Sequence, residues 1–278
     1  MIIQFVEAGL CNRLRCIHSA VMLAERINRP LHVSWRPSRD LGAEYDDLFA
    51  SSPAFQVNSP DANRHLRLFE SSRLPMKALR KTLAAVGYST ELRDIKDPYF
   101  YTDFGGELME EPFEKLSRKS LIYIRSIHSF LYGRQIDYLK PHSDIMAAID
   151  GIASGFTQKT VGIQIRRGDH AKAIAQSPLV LFERYMQQAL DQDPEVNFYL
   201  STDCFDTIEK LSQMFGDRIL RNEDVVLDRN SVAGLKSAVV DVWSLSKTQK
   251  IVGAAFSSFG EYAARLGDIP LERLQSTN

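Results

Sequence analysis

Apolar residues along the chain change their period several times, and each change marks an element. Ile2, Ile3, Phe5 and Val6 form a short run that reads as a buried strand. Glu7 to Asn12, with Gly9 and Asn12, reads as a loop. Leu14, Ile17, Val21 and Ala24 then recur at helical spacing, which predicts a helix with one apolar face. Asn28-Arg29-Pro30 should end it, since proline cannot continue a helix. Leu31 to Trp35 reads as a second strand. A strand, a crossover helix and a strand imply a parallel pair and an α/β domain.

From residue 36 to 120 the pattern is less regular, broken by Pro37, Pro53, Pro60, Pro75, Pro98 and Pro112. Arg73, Lys77, Arg80 and Lys81 share a short amphipathic segment with Leu74, Leu79 and Leu83. Such a segment can touch an anionic surface, but a solvated helix face is the commoner reading and the preferred one. Leu121 to Ile124 predicts another buried strand, and Phe130 to Ile149 a helical linker. Residues 151 to 160, with Ser154-Gly155, suggest a domain boundary near residue 155.

The second half is more regular. Val161, Ile163 and Ile165 predict a buried strand. A helix after Ser177-Pro178 carries Phe182, Tyr185, Met186 and Ala189, and Asn197 to Leu200 is the next strand, ending in Ser201-Thr202-Asp203. A helix with Ile208, Leu211 and Phe215 stops at Gly216, and residues 218 to 220 make a short strand. Ser231 can cap a helix through Leu235, Ala238, Val239, Val242 and Leu245. Ile251 to Gly253 is a strand, and Ser257-Ser258-Phe259 opens the last clear helix. The alternation predicts a second doubly wound domain. The expected fold class is therefore α/β, with domains at 1–155 and 156–278.

Composition narrows the functional classes. The 278 residues are 44% hydrophobic and 25% charged with a net charge of -1, so no global basic field recruits nucleic acid. Cys11, Cys16 and Cys204 are odd in number and lack metal-ligand spacing. The first residues read as a strand rather than a signal peptide, and no apolar run is long enough to span a bilayer. A cytoplasmic protein with no transmembrane segment is expected, with room for a peripheral contact at a membrane surface.

The chemistry gathers where strands end. Arg166-Arg167-Gly168-Asp169-His170 directly follows a buried strand, at the edge where open α/β sheets hold ligands. Adjacent guanidiniums there favour an anion, and their planar donors suit phosphate. The competing reading is a surface turn with solvated charges. Ser258-Phe259-Gly260-Glu261 fits a capping box, and such a helix start can receive phosphate or be an ordinary cap. Asp241 lies in the apolar run Ala238 to Trp243, where a carboxylate needs a donor. A guanine base or a ribose would supply one, and so would an internal salt bridge or a cap to a neighbouring loop. The chain contains no Walker A loop, no GxGxxG, no Asp-x-Asp of the kind that holds a divalent ion against a nucleotide sugar, and no zinc-like cluster. His18 and His128 read as structural.

Several of these stretches together resemble the inverting fucosyltransferases of the GT-B superfamily, which include α1,2- and α1,6-fucosyltransferases and protein O-fucosyltransferases. The family's His-x-Arg-Arg-x-Asp strand end is matched by Gln164-Ile165-Arg166-Arg167-Gly168-Asp169. Its strand ending in Ser/Thr-Asp is matched by residues 199 to 203, and its helical Asp followed by Ser-Ser-Phe by Asp241 and Ser257-Ser258-Phe259. Its amino-terminal Gly-Leu-Gly-Asn-Gln loop resembles Gly9-Leu10-Cys11-Asn12-Arg13. The likeness covers residues 1 to 35 and about 160 to 265. It departs at Gln164, which can bond a nucleotide but cannot carry a proton, at Cys11 in place of glycine, and near Ile174, where some members carry a glutamate.

The resemblance implies two Rossmann-like domains facing a cleft, the first binding the acceptor and the second the nucleotide sugar. It implies a metal-independent, inverting transfer of fucose from GDP-fucose to a carbohydrate or other hydroxyl acceptor, without a cofactor. Arg166 would clamp the β-phosphate, helped by Arg167. Gln164, Asp203, Asp241, Ser257, Ser258 and Phe259, with Gly9 and Asn12 of the first loop, would line the donor site. The base for the acceptor hydroxyl could be Asp169, His170 or Glu7. Two other readings stay open: a nucleotide- or glycan-binding module without catalysis, and a transferase using a different GDP-sugar.

Overall fold

The computed structural model describes residues 1–95, 99–103, 106–133, 138–168 and 171–276. The chain divides into two compact units, Met1–Lys140 and Pro141–Asn278.

In the first unit, β1 (Ile2–Phe5) leads through α1 (Leu10–Arg26) to β2 (Leu31–Ser34), and β1 and β2 pair in parallel as the pattern predicts. Leu14, Ile17, Val21 and Ala24 are buried on the face of α1 that their spacing marks. The proline-broken stretch contains more structure than its pattern shows. It holds β3 (Gln56–Val57), α2 (Pro60–Glu70), α3 (Leu74–Ala85), β4 (Ser89–Arg93) and α4 (Glu110–Ser117) before β5 (Leu121–Arg125). Pro60 and Pro75 fall in first helical turns, where proline starts helices rather than breaking them. The sheet is parallel throughout, in the order β3-β2-β1-β5-β4. Ile3, Leu66, Phe69, Leu121 and Tyr123 pack between the sheet and α2, with the rings of Phe69 and Tyr123 stacked.

The helical linker expected over residues 130 to 149 is not formed as such. Among the described residues, the helix there is α5 (Ser143–Ala153), which starts beyond Pro141. It packs on α9 (Val232–Ser246) of the second unit. The division therefore falls at Lys140 and Pro141, ahead of the boundary expected near residue 155.

The second unit continues with β6 (Thr160–Ile165), α6 (Ala171–Gln176), α7 (Leu179–Gln192), β7 (Asn197–Thr202), α8 (Phe205–Phe215) and β8 (Ile219–Leu220). After α9 come β9 (Lys250–Ala254), α10 (Ser258–Gly267) and β10 (Leu271–Leu274). This sheet is also parallel, in the order β10-β9-β6-β7-β8. Read from β6, that is the doubly wound order 3-2-1-4-5, with the connection reversing between β6 and β9. Val161, Ile163, Ile165, Phe198, Leu200 and Val252 from three strands pack with Phe182, Met186 and Leu211 from the helices. The predicted cap on α9 is present: the Ser231 hydroxyl accepts the Gly234 N–H at 3.0 Å.

Candidate functional site

The carboxyl ends of β6, β7 and β9 bring together most of the residues singled out in the second unit. Asp203 follows β7 directly and organises the turn after β6. Its Oδ1 accepts the backbone N–H groups of Arg167 (2.6 Å) and Gly168 (3.0 Å), and its Oδ2 lies 3.6 Å from Nε of Arg166. A Cβ at Gly168 would stand 2.9 Å from that carboxylate, so only glycine allows so close an approach. Arg166 and Asp203 are about seven-tenths buried. Asp203 thus shapes the arginine turn through the backbone. Asp169 and His170 lie outside the described residues.

Several buried polar atoms at this edge have no hydrogen-bond partner among the described residues. They are Oε1 of Gln164, Nη1 of Arg167, Oγ1 of Thr202, Oδ2 of Asp203 and Oγ of Ser257. Buried polar groups are nearly always paired, so a cluster of orphans at one sheet edge marks a place built for a polar ligand. Gln164 lies under the first turn of α10: a Cβ at Gly260 would come within 3.2 Å of its Oε1.

The capping box expected at Ser258 does not form. The cap residue is Ser257, whose side chain accepts no hydrogen bond from the helix, and Glu261 instead pairs with Arg265 and Arg273. The first N–H groups of α10 therefore have no side-chain cap and, with the helix dipole, favour an anion. Ser258 and Phe259 are half-buried in that first turn. Phe256, just before it, is 58% exposed and has a left-handed backbone at φ 57°. Such strain costs about 1–3 kcal/mol and tends to sit at functional loops.

Asp241 is buried on α9 with both carboxylate oxygens occupied. Tyr199 Oη donates to Oδ1 and Ser201 Oγ to Oδ2, each at 2.8 Å. Burial pushes its pKa up to about 6, against the pull of the two hydroxyl donors. Burial beside this carboxylate also holds the Tyr199 phenol well above its usual range. The partners of Asp241 are two hydroxyls of β7, neither the salt bridge nor the loop cap that the sequence offered as an internal alternative. Sequence reasoning passed over Tyr199; a Tyr on a central strand facing an Asp on the covering helix was its only signal.

In the first unit, the loop spans Glu7 to Gly9 only. Gly9 caps α1, while Cys11 and Asn12 already lie in its first turn. Cys11 is buried on α1. Arg13, which closes the matched amino-terminal stretch but has no role assigned to it there, is 1% exposed and ties the region together. It donates to the carbonyls of Ala8 (2.9 Å) and Arg36 (2.7 Å) and to Ser38 Oγ (3.0 Å), and lies over the Trp35 ring. Ala8 needs holding, since it is a non-glycine residue at φ 64°. Burial draws the Arg13 pKa down to about 10, partly offset by Asp40, Glu7 and Glu44, so it stays charged at neutral pH. Glu7 is gripped by Arg125 through two hydrogen bonds of 2.9 and 2.7 Å. Among the described residues, no group of three His, Cys, Asp or Glu side chains is placed to hold a metal ion.

No protein-family model matches the chain, and no curated protein sequence does. Solved structures do match. NodZ α1,6-fucosyltransferase from Bradyrhizobium, soaked with GDP-fucose, aligns with a TM-score of 0.58 and 18% identity over 95% of this chain and 91% of its own. A mutant of Arabidopsis thaliana FUT1 in complex with GDP aligns with a TM-score of 0.61 and 16% identity over 97% and 69%. POFUT1 in complex with GDP-fucose aligns with a TM-score of 0.56 and 8% identity over 98% of both chains. The chain shares its fold with these fucosyltransferase structures. At these identities the likeness is one of architecture. The clustered polar edge belongs to the second Rossmann-like unit, and the Arg13-bound loop to the first.

Proposed function

We propose that the protein is a metal-independent, inverting glycosyltransferase that moves fucose from GDP-fucose to a carbohydrate or other hydroxyl acceptor. The observation that carries this reading is the set of orphaned polar groups beside an uncapped helix start, at the carboxyl ends of β6, β7 and β9. A nucleoside diphosphate supplies what they need: phosphate oxygens for the Arg166 and Arg167 guanidiniums, the Ser257 hydroxyl and the first N–H groups of α10. GDP or GDP-fucose is present in the fold's solved relatives named above.

In the reaction, the acceptor oxygen attacks the anomeric carbon from the face opposite the diphosphate. The bond from that carbon to the β-phosphate oxygen breaks, and GDP leaves with the electron pair. Negative charge grows on the β-phosphate as this happens, so Arg166 stabilises the transition state more than the bound donor. Guanidiniums and helix N–H groups can meet this charge without a divalent ion. Gln164, Thr202 and Asp203 complete the donor site, with Ser258 and Phe259 in the helix turn that covers it. Asp241 acts through Tyr199 and Ser201, holding the end of β7 in place. The acceptor's proton goes to a carboxylate or imidazole. Glu7 is the weakest of the three choices, because both of its carboxylate oxygens already accept hydrogen bonds from Arg125, which leaves Asp169 and His170. We assign the nucleotide sugar to the second unit and the acceptor to the first, with Gly9 and Asn12 at the acceptor edge.

Titration with GDP, UDP and CDP, followed by incubation with GDP-fucose alone, tests this reading. Preferential binding of GDP and slow release of GDP from GDP-fucose are expected. GDP binding without any release would favour a binding module, and release only from another GDP-sugar would change the donor. Absence of GDP binding would contradict the proposal.

A further inference from the structure

The third helix, α3, is unusual among the helices of this protein. It is twelve residues long, and none of its residues is buried. Met76 and Leu83 make its only packing against the core cluster, and Arg80 turns inward to Glu91 and the Phe69 carbonyl. The rest of its circumference faces water. At helical spacing, Arg73, Lys77 and Lys81 lie on one flank of that outer face with Leu74 at its border, while Leu79 and Val86 lie on the opposite flank, about 120–140° from Leu74. Leu74 is 80% exposed, Val86 70%, Leu79 45% and the adjoining Tyr88 45%. Four large, exposed apolar residues gathered on one short segment are what soluble surfaces ordinarily avoid.

The charged residues of the segment itself have one sign. From Ser71 to Thr90 there is no Asp or Glu, in a chain whose net charge is -1. Arg73, Lys77 and Lys81 make no ion pair among the described residues, and the Lys119 ammonium lies against Gly87 at the end of the helix. Apolar side chains beside unpaired lysines, with a tyrosine at the rim, are the chemistry of a helix that lies in a bilayer interface. A solvated helix face, the preferred reading from sequence, accounts for the lysines but not for Leu74 and Val86.

We infer that α3 and the turn after it form a docking surface for a membrane rich in acidic phospholipid. Leu74, Leu79, Val86 and Tyr88 would enter the headgroup layer, and Arg73, Lys77, Lys81 and Lys119 would meet lipid phosphates. The helix spans nothing; no helix among the described residues is long and apolar enough to cross a membrane. The inference does not depend on the reaction assigned to the other unit.

Co-sedimentation with vesicles tests it. The full chain should bind equimolar phosphatidylglycerol–phosphatidylcholine vesicles, fail to bind phosphatidylcholine alone, and be released by added salt. Each basic residue is expected to contribute roughly fivefold to affinity. The triple variant R73E/K77E/K81E should therefore lose at least roughly a hundredfold, with melting temperature and turnover unchanged. A second variant guards against misfolding: Leu74→Trp places a reporter at an exposed position, and its emission should shift to the blue on adding acidic vesicles. Equal binding to neutral vesicles, undiminished binding of the triple variant, or an unshifted Leu74→Trp emission would each overturn the inference.

Discussion

The two units share a plan and differ at their edges. Each is a five-stranded parallel sheet, and each places a glutamine on its central strand, Gln4 in one and Gln164 in the other. In the first, the turn after the central strand is closed by protein. Arg13 holds Ala8, Arg36 and Ser38, and Arg125 holds Glu7. Its orphaned atoms are on Gln4 and Ser34, both strand residues. In the second, Asp203 shapes the turn, and atoms of the strand residues Gln164 and Thr202 are joined by atoms of Arg167 and Ser257, beyond the strands, in finding no hydrogen-bond partner. The same architecture can thus end in an edge that is complete or in one that needs a ligand. The difference lies in which side chains find protein partners.

The largest effect that would break this contrast concerns Arg166. Arg166→Ala should lower turnover by roughly 10² to 10³, as loss of an oxyanion donor does, with the melting temperature nearly unchanged. Arg166→Lys should recover little, since an ammonium lacks the planar fork. If both variants lose stability and activity in proportion, Arg166 serves Asp203 structurally and the second edge resembles the first.

Arg13 should behave in the opposite way. Arg13→Ala leaves two carbonyls without a donor and empties the space over Trp35. Unfolding in urea should show a loss of about 2–4 kcal/mol, while GDP affinity of the folded protein stays within about twofold of wild type. A fall in GDP affinity larger than the fall in stability would place the first loop in the donor site.

Asp241 gives a pH-dependent test. Its carboxyl pKa is raised from 3.8 to about 6 on folding. The folded state therefore holds the proton more tightly, and this contribution to stability is full below about pH 4 and lost as pH rises through about 6. Over that window it amounts to about 3 kcal/mol as an order of magnitude. Asp241→Asn should flatten the slope and keep a partner for both Tyr199 and Ser201. Asp241→Ala should cost about 2–4 kcal/mol by stranding two hydroxyls beside a cavity. A stability curve for Asp241→Asn with the wild-type slope would show that another group titrates.

What the sequence conveyed follows the same division. β6 was legible because three β-branched residues precede an abrupt pair of arginines, α1 because of its apolar period, and α9 because its period and its Ser231 cap agree. β4 and β10 were not, since edge strands such as Leu271–Leu274 are half-exposed and mix charge with leucine. Asp203 was visible as a residue at a strand end, but whether it meets a ligand or a backbone depends on the turn opposite. Arg13 looked like one more polar residue in a helix, because its partners lie in chain that folds back from residues 36 and 38. The Ser258 cap failed by one residue, and with it the expected pairing of Glu261. The unit boundary was displaced because α5 is continuous in sequence with the preceding chain yet packs on α9.

The smallest expected effect is at Ser257. Ser257→Ala removes one neutral donor and should weaken GDP binding by about fivefold, roughly 1 kcal/mol, without changing stability. An unchanged affinity would move the phosphates away from α10.

Amide hydrogen exchange on the full chain, with and without GDP, tests the contrast between the two edges most directly. Protection is expected to rise at Arg167, Gly168 and the first turn of α10, and to stay the same from Glu7 to Arg13. New protection confined to residues 7–13, or none at either edge under saturating GDP, would contradict the assignment of the nucleotide to the second unit.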